Sequence, residues 1–359
     1  MKIKFSVLAV WCSAFVLSAC DITQPSPDTD AAKQDASGDL KAGEGKATKS
    51  VAEITRPPLD PFPSTYERYP SAPTIISGAT ILTATGERID NGSIVLNDGV
   101  IAALGPSDVI ATPTDAIVID GTGKWVTPGI IDIHSHLGVY PSPSTASTSD
   151  GNEATAPNTA EVWAEHSVWP QDPGFTRALA GGVTSLQILP GSANLFGGRT
   201  VVLKNVPSLS VQGMKFPDAP NGLKMACGEN PKRVYNNSGP ATRMANFSHY
   251  RKAWIEAEKY KKSWDDYWEK VEQGGDEAED ASPPDRDLRS ETLAGVLNGD
   301  IVVNMHCYRA DEMLQVLDMA EEFGYKVTTF HHAVEAYKIA DILAEKGVCA
   351  AVWSDWWGF

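Results

Sequence analysis

The chain has 359 residues, of which 42% are apolar and 21% charged, a balance that suits a globular protein with a sizeable core and excludes a disordered chain or a membrane bundle. Thirty basic against 46 acidic side chains give a formal net charge of −16. That charge argues against nucleic acid as a partner, because a polyanion needs a basic surface. The length suggests about two domains, at roughly 150 residues each.

At the N-terminus Lys2 and Lys4 precede an almost wholly apolar stretch from Phe5 to Ala19. It is shorter than the roughly 20 residues of a membrane helix and reads as the apolar core of a signal peptide. It ends Leu17-Ser18-Ala19-Cys20, which resembles the bacterial lipobox. Residues 1–20 are therefore expected to be a lipoprotein signal peptide with Cys20 the lipidation site. The protein is then exported and held on a bacterial membrane through Cys20, its folded part on the periplasmic or outer face. Residues 21–72 are rich in Pro, Ser, Thr, Asp and Lys and read as a tether that holds the body off the membrane. Cys227, Cys307 and Cys349 remain for the folded part. Their number is odd and their spacing fits no disulfide framework or zinc ribbon, so they are expected to be small buried residues.

Residues 73–127 carry short strand-like runs at Thr74–Ile76, Ala79–Leu82, Ser93–Leu96, Val100–Ala103 and Ala116–Ile119. Turn signals such as Asn91-Gly92 and Asn97-Asp98-Gly99 separate them, and a small antiparallel β unit follows. After Pro128, seven apolar runs of strand length alternate with helical stretches: Ile130–Ile133, Val183–Leu189, Val201–Lys204, Leu223–Ala226, Ile301–Met305, Val327–Phe330 and Val348–Trp353. This alternation implies an α/β fold built of βα units on a parallel sheet, one strand short of a (β/α)8 TIM-type barrel. A helical insertion is expected at about 249–289, with Trp254, Tyr260, Trp264, Tyr267 and Trp268 inside and pairs such as Lys252–Glu256 and Lys261–Asp265 outside. A surface helix is the reading preferred there over a lid.

The strongest local signal is Thr127-Pro128-Gly129-Ile130-Ile131-Asp132-Ile133-His134-Ser135-His136. Alternate strand residues share a face, so Asp132, His134 and His136 point one way. Two imidazoles at that spacing can hold one divalent metal, and barrel strands carry their chemistry at their C-terminal ends. With this motif the chain resembles the amidohydrolase superfamily, in particular its imidazolonepropionase-like branch. The resemblance runs from about Thr74 to the end. It implies a distorted (β/α)8 barrel with about seven strands present at 128–359, and a small β-sandwich domain part-built from 73–127.

The resemblance also assigns residues. His134 and His136 match a first-strand metal pair. Val302-Val303-Asn304-Met305-His306 looks like a fifth strand ending in the ligand His306. Thr328-Thr329-Phe330-His331-His332 looks like the sixth, with His332 favoured over His331 because of the helix expected at Tyr337–Asp341. For the bridging ligand Glu229 is named first and Lys224, as a carbamate, is the rival. Asp132 is expected to support the first-strand histidines. Tyr308, Arg309 and Asn194 are substrate-binding candidates, Arg309 for a carboxylate or, alternatively, for an ion pair with Asp311 or Glu312.

The family's eighth-strand Asp, which takes a proton from the attacking water, is not visible; Asp355 is a weak substitute, and the chain is expected to be a fragment with that Asp beyond Phe359. The implied activity is hydrolysis of a C–N bond in a cyclic amide, an acylated amine or a small peptide. The cofactor is one or two divalent ions, zinc foremost. The alternatives are a non-catalytic binding protein, and a relative acting on C–O or P–O bonds.

Overall fold

The computed structural model describes residues 57–353. The expected signal peptide, Cys20, most of the tether and Asp355 lie outside the described residues. The end of the expected tether is not loose. Arg199 donates to the Leu59 carbonyl at 2.7 Å, Lys215 reaches Asp60 at 2.6 Å and the Phe62 carbonyl at 2.7 Å, and Thr65 pairs with Gln212. Lys215 also meets the buried Glu165 at 2.6 Å, so polar partners on the folded body fasten a stretch whose composition alone reads as linker.

The first sheet contains β1 (Thr74–Leu82), β2 (Arg88–Asn97), β3 (Val100–Pro106), β4 (Ile117–Asp120) and β5 (Trp125–Val126), in the order β3-β2-β1-β4 with β5 also on β1. The turn Asp98-Gly99 has positive φ at both residues, which suits the twist of the β2–β3 hairpin. The sheet is mixed, not antiparallel as expected: β4 and β5 run parallel to β1. The chain between β3 and β4 is long enough to cross to the far side of β1, and a crossover delivers a parallel strand. The two runs expected at Thr74–Ile76 and Ala79–Leu82 form one strand with a bulge between them, where Gly78 takes φ 75°.

The second sheet has seven strands in chain order: β6 (Ile130–Ser135), β7 (Val183–Ile188), β8 (Phe196–Lys204), β9 (Asn221–Ala226), β10 (Ile301–His306), β11 (Val327–His331) and β12 (Cys349–Ala351). All seven expected runs are strands of this distorted barrel. One reverses the expected direction: β8 is antiparallel to both β7 and β9. The seven-residue link 189–195 is too short for a crossover helix, so β7 and β8 must fold back on each other. β8 also begins at Phe196, earlier than its apolar run, because Gly197 and Gly198 hide the strand pattern. Gly198 takes φ 113°, and a side chain there would strike the Val162 carbonyl.

Helix α1 (Pro173–Ala180) lies between β6 and β7. Its N-cap Asp172 accepts from Gly174 N at 2.8 Å and, across the fold, from Gly138 N at 2.9 Å. This ties the loop that follows β6. Between β9 and β10 come α2 (Glu229–Val234), α3 (Arg243–Gln273), α4 (Asp276–Asp280) and α5 (Leu288–Leu297); α6 (Ala310–Phe323) and α7 (Ala340–Glu345) follow β10 and β11. The expected insertion is mostly α3, which begins at Arg243 and is the crossover itself. Tyr250, Ala253, Trp254 and Ala257 recur at helical spacing and join the main core with Phe196, Leu223, Val303 and Phe330. The outer face carries Lys261–Asp265 and Lys262–Asp266, each at 2.6 Å, which as exposed pairs add little stability.

Trp254 is fully buried, its ring against Phe196 and Tyr325. Trp254→Ala is expected to cost about 3–5 kcal/mol, read as a shift of the urea midpoint, and Lys262→Ala less than about 0.5 kcal/mol.

Candidate metal centre

The ends of β6, β9, β10 and β11 bring five histidines and one lysine together. His134 lies in β6 and His136 just past it; Lys224 is in β9; His306 ends β10 and His331 ends β11. His332 follows directly. Neighbours in a strand point to opposite faces, so His331 and His332 should diverge. His332 instead takes φ 55°, which breaks the alternation and turns its ring beside His306, centroid to centroid 4.5 Å. The structure therefore places both rivals for the sixth-strand ligand at the centre.

The rings form a contiguous group. His134 Nε2 lies 3.3 Å from His136 Nε2, and His134 Nδ1 lies 2.9 Å from His331 Nδ1. The tautomers follow from the outer partners. His136 Nδ1 donates to the Leu189 carbonyl at 2.8 Å, which leaves its Nε2 with a lone pair. His331 Nε2 donates to Asn304 Oδ1 at 3.1 Å, which leaves its Nδ1 with a lone pair. Both lone pairs face His134, and a neutral imidazole has only one N–H. One of the two contacts therefore sets lone pair against lone pair. His306 Nδ1 and His332 Nδ1 are buried with no partner.

Burial keeps these rings neutral. It lowers the pKa of His136 and His332 to about 4 and of His331 to about 3, and drives those of His134 and His306 further down; the nearby Lys224 charge adds to each shift. Lys224 is 1% exposed and donates to the Pro190 carbonyl at 2.9 Å. Burial alone pushes its pKa down to about 7. No carboxylate of the described residues hydrogen-bonds to the five rings or to this amine. Neutral imidazoles and unpartnered ring nitrogens are donors that a divalent cation takes, and the Lys224 amine suits such a site only when it is uncharged.

The other sequence candidates fall in several places. Glu229 opens α2 directly after β9; its Oε1 is buried without a partner, and its charge acts on Tyr308, the neighbour of His306. Lys224, named second, has its amine buried beside the rings, where its charge acts on all five. Tyr308 is at the centre, 4.6 Å from the His306 ring. Asp132 accepts from the His134 backbone N–H at 3.1 Å, so it holds the strand end and not a ring. Arg309 is turned away in an exposed pair with Asp311 at 2.9 Å, the alternative partner considered for it. Asn194 is 1% exposed and spends its amide on the Glu153 and Ala156 carbonyls and Thr159, as a brace of the loop after β7.

The cysteines differ from expectation. Cys227 and Cys307 form a disulfide, with Cα atoms 5.2 Å apart; the sheet brings together residues 80 apart in sequence, which spacing cannot reveal. Their sulfurs and a Glu312 oxygen lie within 4.8 Å of one another, but the bond occupies both sulfurs. Cys349 is free and exposed. Sequence reasoning missed Trp353, which stacks on His332 at 4.1 Å and touches His134 at 4.9 Å. It also missed Asn230, whose amide meets His306 Nε2 at 3.4 Å and Ser192 at 2.8 Å. Asn230 sits in the short helix directly after β9, and position after a barrel strand was a usable signal.

No protein-family model matches the chain. The chain is 37% identical over 242 residues to an amidohydrolase, tasK, of Hapsidospora irregularis, a match that covers 64% of this chain and 25% of that protein. It is 50% identical over 54 residues to an imidazolonepropionase of Geobacillus thermodenitrificans, 14% of this chain and 13% of that one. The solved structure of an amidohydrolase from Thermotoga maritima superimposes with TM-score 0.69 at 37% identity, covering 78% of this chain and 70% of that one. The chain thus spans a quarter or less of the two curated relatives but most of the solved structure.

The buried rings set a pH dependence. The unfolded chain takes up histidine protons near pH 6.5, whereas folded His136 and His332 resist until about pH 4. Between these values the unfolded state binds more protons, so the metal-free protein loses stability as pH falls. The urea midpoint is expected to drop steadily from about pH 7 to about pH 4.5, and His332→Gln to flatten that drop.

Proposed function

Since the chain belongs to the amidohydrolase superfamily, we propose that it is a metal-dependent hydrolase of C–N bonds, acting on a cyclic amide, an acylated amine or a small peptide. The observation that carries this reading is the conflict at His134: two ring lone pairs converge on a ring with one N–H, inside a group too buried to take up protons. A cation resolves it. His134, His136 and His306, with His331 or His332, would hold one or two ions; zinc is the metal proposed, since neutral imidazole is among its preferred ligands. Bound there, the ion supplies Lewis acidity toward a carbonyl and toward water.

The chain's own residues do the rest. With a pKa near 7, Lys224 is partly the free amine. Such an amine can add carbon dioxide: an N–C bond forms, a proton leaves, and a buried cation becomes a carboxylate. That carbamate would neutralise the ion and replace Glu229 as the anionic ligand. Tyr308, buried beside His306 and His332, is placed to orient a substrate carbonyl. The proton acceptor is sought outside the described residues. Export and a lipid anchor at Cys20 belong to the same proposal, and a buried disulfide supports an oxidising compartment.

Zinc content and a substrate panel test this. The protein is expected to retain zinc and to cleave N-acylated amines, cyclic amides or dipeptides. His134→Ala, His136→Ala and Lys224→Met are each expected to weaken zinc binding at least about tenfold. Full zinc occupancy in the two histidine variants, or cleavage of esters or phosphoesters with no amide hydrolysed, would overturn the assignment.

A further inference from the structure

We infer that the Cys227–Cys307 disulfide positions the histidine centre, so that the oxidised chain holds a divalent cation there more tightly than the reduced chain; this rests on the metal reading above. Cys307 follows His306 directly, and Cys227 lies three residues past Lys224. The backbone N–H of Cys227 donates to the His306 carbonyl at 2.8 Å, and that of Cys307 to the His331 carbonyl at 3.0 Å. The bridge therefore sits on the last rung that joins β9, β10 and β11, the three strands that carry Lys224, His306 and His331. Past Cys227, Gly228 takes φ 71° and turns the chain into α2, where Asn230 meets the His306 ring at 3.4 Å. His306 is thus held twice by the segment after β9, at its carbonyl by the Cys227 N–H and at its ring by Asn230. The disulfide ties that segment covalently to Cys307, the residue next to His306.

Two surroundings sharpen the point. The bridge spans 80 residues, among them all of α3, α4 and α5, and so closes this long crossover at the rim of the centre. On the outer side the buried Glu312 carboxylate lies within 4.8 Å of both sulfurs. Reduction by a dithiol transfers two electrons and two protons: the S–S bond breaks, two thiols form, and the dithiol becomes its own disulfide.

The test titrates the metal-free full chain with cobalt(II) alone, before and after reduction by dithiothreitol and its anaerobic removal, with thiols counted. A Cys227→Ala/Cys307→Val variant is run in parallel. Visible cobalt spectra report ligand geometry, and far-ultraviolet dichroism reports the fold. With the fold signal unchanged, the reduced chain and the variant are expected to bind cobalt about tenfold to a hundredfold more weakly, with an altered visible spectrum. Equal affinity and spectrum with two more thiols counted would overturn the inference. So would weakening that appears only together with loss of helix signal. A thiolate-to-cobalt charge-transfer band with an extra equivalent bound would also overturn it, since Cys227, Cys307 and Glu312 would then be a ligand set themselves. Failure of the underlying metal reading looks different: the oxidised chain then binds no cobalt, or binds it unchanged in His136→Ala.

Discussion

A lysine is buried at the centre of this barrel with no carboxylate of the described residues hydrogen-bonded to it. Lys224 is enclosed to 1% exposure, its amine against one backbone carbonyl and among five imidazoles. Desolvation disfavours its charge, and its charge disfavours protonation of every ring around it. Burial therefore favours neutral rings and a neutral amine, whose lone pairs are free for a cation. Burial keeps the rings neutral, with the Lys224 charge adding to it, and the carbonyl of Leu189 and the amide of Asn304 set the tautomers that conflict at His134.

The scaffold around it is arranged to hold ring orientation. Leu189 and Pro190, at the end of β7, offer carbonyls to His136 and Lys224. Asn304 on β10 fixes the His331 tautomer, and Asn230 closes on His306. Asp172 ties the loop after His136 to the start of α1. These partners come from different strands, so the order of the centre depends on the register of the whole sheet. The disulfide at the β9–β10 rim acts on the same register.

The legible parts of the molecule were those with local causes. Seven apolar runs became seven strands, and the Lys252–Glu256 and Lys261–Asp265 pairs, at 4.0 and 2.6 Å, follow from helical spacing alone. His134, His136 and His306 sit at strand ends, where a period of two and a barrel rim place them. Elements with non-local causes were not legible. β8 reversed direction because of a short loop, and its first residues were hidden by two glycines. Arg309 looked like a ligand for a carboxylate and found Asp311 instead, two residues along its own chain. Glu229 lies one turn past β9, whereas Lys224, inside the strand, points inward.

By itself the sequence determined the element order, the histidine spacing and the family, because strand period, helix period and short motifs are properties of neighbours in the chain. Only the tertiary structure decided that Lys224 is buried among the histidines, that His331 and His332 both reach them, and that Cys227 pairs with Cys307. Those outcomes depend on strand direction, on one left-handed residue and on a contact across 80 positions. Burial, too, belongs to the assembled sheet: Lys224 reads as an ordinary basic residue until strands on both sides remove its water.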